Sequence, residues 1–289
     1  MAGKLIDGKE ISSQIKAELA QEVGRLQKEN NITPGLAVVL VGENPASKVY
    51  VGQKEKACAE LGIFSQKHTL SAETSEAELL DLVRSLNEDP DIDGILVQLP
   101  LSGHIDENKV IETIVPEKDV DGFHPVSVGK MVIGLPGFRP CTPSGIMELL
   151  KRTGVDLVGK EAVVVGRSNI VGKPISLMLL AESATVTVAH SKTRDLGEVT
   201  RRADVLVVAT GRPNMITADM VKEGVVVIDV GVNRLDGGKL VGDVDFDGVR
   251  EKASAITPVP GGVGPMTIAM LMYNTVQSAK RRAGAPVSV

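Results

Sequence analysis

Short, nearly uninterrupted runs of valine, isoleucine and leucine recur along the chain and alternate with longer amphipathic stretches. Apolar runs of this length are typical of strands buried on both faces of a parallel sheet, and the amphipathic stretches predict the helices that cover those faces. The pattern therefore predicts an α/β protein with doubly wound sheets. The predicted strands are Leu36–Val41, Gly94–Leu99, Ala162–Val165, Thr185–Ala189, Val205–Ala209 and Val225–Val230, and the predicted helices are 8–30, 45–61, 75–87, 106–114, 143–153 and 171–182.

Two loops rich in proline and glycine, at 135–143 and 257–265, divide the chain. Because Pro and Gly interrupt helices and strands, we expect the chain to cross between two domains at these loops. The first domain is predicted at 1–140, the second at 141–264, and the segment 265–289 opens as a helix that completes the first domain. We also expect an interdomain cleft, since clefts between domains are common ligand sites.

Composition excludes several classes of function. The chain has 289 residues, 43% of them hydrophobic, as in an ordinary globular protein of about two domains. A net charge of −5 and an aromatic content of 2% argue against nucleic-acid binding. No apolar run has the length of a signal peptide or membrane span, so we predict no membrane partner. Cys58 and Cys141 lack metal-type spacing, which predicts a cytoplasmic protein with free thiols and no metal site.

One predicted helix carries three groups suited to substrate contact or proton transfer. Asn44 can cap its start and Gly62 can end it. Residues three and four apart share a helix face, so Ser47, Tyr50 and Lys54 point in one direction. Most helical lysines are solvated, and the pattern alone leaves open whether this face lines a pocket.

A strand, a glycine turn and a helix start follow one another at 162–174. The N–H groups and dipole of such a helix start attract the pyrophosphate of a dinucleotide. Gly166, Arg167 and Ser168 form the turn, with Ser168 where a G-x-G-x-x-G pattern has its second glycine. An ordinary strand-to-helix connection is the alternative interpretation of this segment.

The next strand favours NADP over NAD. NAD sites usually place an acid near the end of this strand to hold the ribose 2′-hydroxyl. Here no acid appears before Asp195, whereas Ser191, Lys192 and Arg194 follow the strand. Hydroxyl and cationic groups suit a 2′-phosphate, so Ser191 and Arg167 are predicted to bind it. Lys192 and Arg194 fit a solvated loop at least as well.

Two later strands, in the segments 203–211 and 227–234, end in small residues and glycine. Ligands of such sheets lie beyond the carboxyl ends of the strands, and glycine lets the backbone approach a ribose or nicotinamide. We assign Val232, in the second of these segments, to the cofactor site.

The first domain contains two further candidate groups. Gln98 lies near the end of the predicted strand 94–99 and is either a core amide or an active-site group. Asp121 lies beside a glycine in the segment 118–123, where an acid can also be a simple turn residue. These positions alone do not decide between the two interpretations.

Taken together, six ordered motifs resemble the bifunctional methylenetetrahydrofolate dehydrogenase/methenyltetrahydrofolate cyclohydrolase family over nearly the whole chain. The motifs are S-x-x-Y-V-x-x-K at 47–54, GILVQLP at 94–100, KDVDGF at 118–123, PCTP-x-G at 140–145, GRS-x-IVG-x-P at 166–174 and PVPGGVGPMT at 258–267.

The resemblance implies two reactions and a Rossmann-type NADP-binding second domain. NADP+ takes a hydride from 5,10-methylenetetrahydrofolate, and water then opens the 5,10-methenyl cation to 10-formyltetrahydrofolate. The resemblance also implies that Lys54 is the key group for hydrolysis, that Gln98 orients and tunes this lysine, and that Tyr50 helps to place the folate. A homodimer is also implied by analogy with the family.

The resemblance further implies how the folate is held. Asp121 binds the N–H groups of the pterin ring, and Ser47 shares the helix face that meets the substrate. The loop containing Pro260, Gly261 and Gly262 borders the folate and the nicotinamide.

Three rival hypotheses remain. The chain could be a dehydrogenase without effective cyclohydrolase activity, or a nucleotide-sensing regulatory protein without turnover. An amino-acid or shikimate-type dehydrogenase would have a similar two-domain build, but the set of Tyr50, Lys54, Gln98 and Asp121 does not support it.

Overall fold

The computed structural model describes residues 2–284, and it divides them into two compact units. One unit comprises Gln14–Cys141 and the described residues from Ile268 onward, and we call it the three-stranded unit after its sheet. The other comprises Thr142–Thr267 and the described residues up to Ser13, and we call it the six-stranded unit. The domain limits at 140/141 and 264/265 remain a prediction, and the last five residues of the segment 265–289 lie outside the described residues.

Eleven strands occur in the described part of the chain. They are β1 (Lys4–Leu5), β2 (Gly35–Val41), β3 (Phe64–Leu70), β4 (Gly94–Val97), β5 (Glu161–Val165), β6 (Thr185–Ala189), β7 (Val205–Val208), β8 (Val226–Asp229), β9 (Asn233–Arg234), β10 (Leu240–Val241) and β11 (Ala255–Ile256).

Ten α-helices and one 3₁₀ turn, Ala218–Met220, complete the secondary structure of residues 2–284. The helices are α1 (Gly8–Asn30), α2 (Pro45–Leu61), α3 (Glu76–Glu88), α4 (Glu107–Thr113), α5 (Pro125–Val132), α6 (Cys141–Arg152), α7 (Gly172–Ala181), α8 (Leu196–Arg201), α9 (Phe246–Arg250) and α10 (Val263–Arg282). None of the helices in this described range is long and apolar enough to span a membrane.

The three-stranded unit contains a parallel sheet in the order β3-β2-β4. Every residue of β2 is buried, as its continuous apolar sequence predicts. The strand β3 was not predicted, because its sequence from Phe64 to Leu70 is largely polar and it lies at the edge of the sheet with partly exposed side chains. The reversal of strand order at β2 places the carboxyl ends of β2 and β4 side by side.

The six-stranded unit contains a parallel sheet in the order β1-β11-β8-β7-β5-β6. The chain runs from β5 outward to β6 and then returns past β5 to β7, so the strand order reverses at β5. This is the doubly wound arrangement predicted from the apolar runs. The strands β9 and β10 form a separate antiparallel pair.

Local sequence signals explain the limits of α2, the helix that carries the candidate lysine. The Asn44 side chain accepts hydrogen bonds from the backbone N–H groups of Ala46 and Ser47, and Pro45 occupies the first turn. Gly62 ends the helix in the left-handed conformation with φ of +71°. The predicted helix 45–61 is confirmed.

Candidate active site

The helix α2 presents one face of mixed exposure. Ser47 and Lys54 are buried, and the Lys54 residue is only 9% exposed, which is unusual for a lysine. Tyr50, between them on the same face, is 43% exposed. The face therefore carries a buried amine next to an accessible phenol ring.

Gln98 is the direct partner of the buried lysine. The Lys54 Nζ donates a hydrogen bond of 2.9 Å to the Gln98 Oε1. The Gln98 Nε2 in turn donates to the carbonyl oxygen of Leu99 at 2.7 Å, which fixes the orientation of the amide. Gln98 follows β4 and α2 follows β2, so the pair forms at the reversal of strand order, where ligands of α/β sheets commonly bind.

Asp121 supplies the negative charge of this group. Burial lowers the pKa of Lys54, and this effect exceeds the opposing effect of the Asp121 carboxylate, which favours the ammonium form. Burial also raises the pKa of Asp121, while Lys54 acts in the opposite direction. Both pKa values are thus shifted towards the neutral forms, so the neutral Lys54 amine is populated at lower pH than that of a solvated lysine.

The backbone next to Asp121 is held by two residues that were not predicted as site residues. The Asn274 Nδ2, on α10, donates to the carbonyl oxygens of Val120 at 2.8 Å and Arg139 at 3.2 Å. The Cys141 thiol donates to the Val120 carbonyl oxygen at 3.2 Å, and burial raises its pKa well above its usual value. Asn274 carried no distinctive sequence signal, because α10 contains several other polar residues, including the amide Gln277.

The second acid of the KDVDGF motif has a different environment. Asp119 is buried and accepts hydrogen bonds from the Ser127 hydroxyl and from three consecutive backbone N–H groups, at 122–124. Burial raises the pKa of Asp119 to about 6. Asp119 therefore fixes the turn that follows Asp121, whereas Asp121 itself interacts with the lysine.

In the six-stranded unit, the turn after β5 has the shape expected of a dinucleotide site. Gly166 has φ of +131°, and a Cβ atom there would overlap the carbonyl oxygen of Ala209. The Ser168 Oγ accepts hydrogen bonds from the backbone N–H groups of Val171 and Gly172, at 3.2 and 3.3 Å, and so organises the start of α7. The bare glycine backbone beside a helix N-terminus fits a pyrophosphate.

The other predicted cofactor residues lie at the same edge of this sheet. Arg167 follows β5 and Ser191 follows β6, its neighbour, and both residues are exposed. Lys192 and Arg194 are exposed on the same loop as Ser191. Val232 follows β8 and is 47% exposed.

The loop with Pro260, Gly261 and Gly262 precedes α10 and belongs to the six-stranded unit. The Gly261 carbonyl oxygen accepts a hydrogen bond of 3.1 Å from the backbone N–H of Lys9, which holds the loop against the start of α1. The structure thus groups the predicted residues into two sets, one around Lys54 and one at the carboxyl edge of the six-stranded sheet.

Models of two protein domains match most of the chain. The model of the tetrahydrofolate dehydrogenase/cyclohydrolase catalytic domain matches residues 6–121, and that of the NAD(P)-binding domain of the same family matches residues 140–283.

Curated relatives and solved structures agree with these matches. The chain is 64% identical to the bifunctional protein FolD of Pelobacter propionicus, over 96% of this chain and 98% of that protein. It superposes on the bifunctional FolD dehydrogenase/cyclohydrolase of Campylobacter jejuni with a TM-score of 0.96 and 56% identity, covering 97% and 100% of the two chains. The Trypanosoma brucei FolD, solved with NADP and an inhibitor, gives a TM-score of 0.95 and 40% identity over 99% and 100% of the chains. The chain therefore belongs to the tetrahydrofolate dehydrogenase/cyclohydrolase family.

Proposed function

We propose that the group of Lys54, Gln98 and Asp121 performs the hydrolytic reaction of this family, and that the turn after β5 holds the cofactor of the oxidative reaction. The chain is an NADP-dependent methylenetetrahydrofolate dehydrogenase and a methenyltetrahydrofolate cyclohydrolase. The observation that carries the assignment of the hydrolytic site is the buried Lys54 amine bonded to the Gln98 amide.

The hydrolytic step requires a base near the one-carbon bridge of the substrate. In its neutral form the Lys54 amine accepts a proton from the water that attacks the methenyl carbon, and the new C–O bond forms at that carbon. The hydroxyl group on this carbon then loses its proton and becomes the formyl C=O as the bond from the carbon to N5 breaks. N5 takes up a proton, and the formyl group stays on N10. The net reaction consumes one water and releases one proton.

The lowered pKa of Lys54 supports its role as a base. A base works best when its pKa lies near the operating pH, and burial moves the lysine pKa in that direction. The methenyl substrate carries a positive charge of its own, and this charge would favour the neutral amine still further. The Gln98 Oε1 accepts from Lys54 Nζ and so directs the amine.

Asp121 and Tyr50 are assigned to folate binding. A pterin presents a ring N–H and an amino group side by side, and a single carboxylate can accept hydrogen bonds from both. The exposed ring of Tyr50 offers a flat apolar surface on the same helix face as Lys54, and Ser47 adds a hydroxyl to that face. Pro260, Gly261 and Gly262 are assigned to the folate by the match of their loop to the family.

The oxidative reaction depends on correct positioning of the folate against the nicotinamide more than on acid–base chemistry, because the folate nitrogen supplies the electrons that expel the hydride. Bound NADP+ supplies the hydride acceptor. Gly166 and Ser168 are assigned to its pyrophosphate, Arg167 and Ser191 to its 2′-phosphate, and Val232 to the cofactor region beyond β8.

The test of the lysine assignment is the variant Lys54→Gln, with Lys56→Gln as a matched control. Lys56 lies on the same helix, but its side chain is 79% exposed. We expect Lys54→Gln to abolish hydrolysis of methenyltetrahydrofolate while NADP+ binding is kept, and Lys56→Gln to leave both unchanged. Unchanged hydrolysis in Lys54→Gln would refute the assigned role.

The wild-type protein distinguishes the rival functions. A mixture of methylenetetrahydrofolate and NADP+ should give reduced nicotinamide and then 10-formyltetrahydrofolate, and absorbance measurements monitor both steps. A methenyl product that accumulates without decay would indicate a dehydrogenase alone. A flat signal at the nicotinamide wavelength would indicate a protein without turnover.

We also propose a cytoplasmic homodimer. Both cysteines are free and buried, which fits a reducing compartment. Among residues 2–284, the strand β6 is an edge of the six-stranded sheet, and Val188 on it is exposed, which suits pairing with a second copy. Sedimentation equilibrium should show a dimer that Val188→Lys weakens, and a monomeric wild-type protein would contradict the proposal.

A further inference from the structure

Two buried carboxylates, Asp229 and Asp243, join the loops that follow β7 and β8 in the six-stranded unit. None of the residues assigned above to catalysis or binding explains why two acids are buried together. We propose that Asp243 is a positioning residue for the nicotinamide half of the cofactor. This inference rests on the NADP site proposed above.

Asp243 connects one loop to the other through both of its oxygens. Its Oδ2 accepts hydrogen bonds from the backbone N–H groups of Thr210 at 2.6 Å and Gly211 at 2.9 Å, just after β7. Its Oδ1 accepts from the Asn233 Nδ2 at 2.8 Å, after β8. A single side chain that is 0% exposed therefore fixes the two loops relative to each other.

Asp229 holds Asp243 in place. The Asp229 Oδ1 accepts from the backbone N–H groups of Gly231 at 3.0 Å and Asp243 at 2.9 Å, and its Oδ2 accepts from that of Val244 at 3.0 Å. Its own N–H donates to the Thr257 hydroxyl at 2.8 Å. Burial raises the pKa of Asp229 to about 7, and the neighbouring charge of Asp243 acts in the same direction.

Glycines make room for both acids. A Cβ atom on Gly231 would overlap the Asp243 carboxylate, and one on Gly242 would overlap the Asp229 carboxylate. Each carboxylate therefore lies directly against bare backbone of the segment that carries the other acid. These close backbone contacts hold β8, the loop after it and the segment after β10 in fixed positions relative to one another.

The position of these loops connects them with the cofactor. They lie at the carboxyl edge of the sheet, where nucleotides bind, and Ala209, which touches Gly166, directly precedes Thr210. The strand order places β7 and β8 on the side of β5 opposite to β6. With the 2′-phosphate end at Ser191 beyond β6 and the pyrophosphate at the β5 turn, the nicotinamide half extends towards the loops held by Asp243.

The test measures the affinity of purified protein for NADP+ and for 2′,5′-ADP, which contains only the phosphorylated adenosine half. The variant Asp243→Asn keeps one acceptor oxygen and replaces the other with an amide donor that faces the Asn233 donor. We expect NADP+ to bind about tenfold to a hundredfold more weakly, because buried hydrogen bonds to a charge are lost. The affinity for 2′,5′-ADP should stay unchanged.

The matched control is Asp204→Asn in the same unit. Asp204 also accepts a backbone hydrogen bond, from Glu161 at 2.9 Å, but at the amino end of the sheet. We expect the Asp204→Asn variant to bind NADP+ and 2′,5′-ADP with the affinities of the wild type. Hydrolysis of methenyltetrahydrofolate, which needs no nucleotide, and the thermal unfolding midpoint report whether Asp243→Asn is folded.

A second variant tests the hydrogen bond itself. Combining Asp243→Asn with Asn233→Asp exchanges donor and acceptor, so the affinity for NADP+ should largely recover. Equal weakening of NADP+ and 2′,5′-ADP, unchanged NADP+ affinity in Asp243→Asn, or no recovery in the double variant would overturn the inference. A wild-type protein that does not bind NADP+ would instead refute the proposed cofactor site.

Discussion

Replacing Gln98 with glutamate adds one negative charge beside Lys54 while the side chain keeps nearly the same shape. The variant therefore tests how the residue at position 98 controls the protonation of Lys54. The variant Gln98→Glu places a carboxylate where the amide oxygen now accepts from Lys54 Nζ at 2.9 Å. A carboxylate stabilises the ammonium form, and hydrolysis needs the neutral amine. We therefore expect the cyclohydrolase activity to fall and the ascending limb of its pH–rate profile to move to higher pH.

The distance sets the size of this effect. Two unit charges 2.9 Å apart attract by about 6 kcal/mol at an effective dielectric constant near 20, which is an upper bound. Measured effects of an opposite charge close to an ionisable group correspond to about 1.4–4 kcal/mol. This range reduces the neutral fraction of the amine, and hence hydrolysis below the pKa, by roughly tenfold to a thousandfold.

The assay follows the decay of methenyltetrahydrofolate absorbance from about pH 6 to 10, a range that brackets neutral pH and the ordinary pKa of lysine. The control Gln98→Leu removes both the acceptor for Lys54 and the donor to Leu99 without adding a charge. It should lower the rate without moving the profile to higher pH. A Gln98→Glu profile that coincides with that of Gln98→Leu would refute the proposed electrostatic coupling.

Three further predictions concern binding and stability. Arg167→Ala should raise the KM for NADP+ by about tenfold and the KM for NAD+ much less, because only NADP+ carries the 2′-phosphate. Equal increases in the two KM values would count against this contact. Gly166→Ala should lower the free energy of unfolding in urea by about 2 kcal/mol or more, since φ is +131° and the new Cβ overlaps the Ala209 carbonyl. Asp121→Asn leaves one acceptor oxygen for two pterin donors, so the folate KM should rise about tenfold while NADP+ affinity is kept; an unchanged folate KM would remove Asp121 from the pterin site.

Elements with strong local signals were predicted well. The strand β2 and the helix α2 are typical, because a continuous apolar sequence, an Asn cap and a terminal glycine each act on the residues next to them. The strand β3 was missed, since its polar sequence becomes a strand only by pairing along β2. The two-residue strands β1 and β11 depend on pairing between Lys4 and Ala255, far apart in the chain, and carry no local signal.

The candidate site likewise combines features that local sequence predicted with features that depend on remote segments. Ser47, Tyr50 and Lys54 were placed on one face by helix geometry alone, and the glycine turn at Gly166 was visible as a strand-to-helix connection. The family resemblance implied that Gln98 orients and tunes Lys54, and the structure supplied the hydrogen bond between them, because no local rule joins residues on different elements.

The amino-acid sequence by itself determined the α/β class, the main helices and strands, and the residue types available for chemistry, because periodicity, capping and glycine turns are local properties. Only the tertiary structure decided which acid meets the lysine and which acid folds the adjoining turn. It also decided that Asp229 and Asp243 join two loops. Such pairings depend on burial and on distances between segments remote in the chain, and these exist only after the sheets have formed.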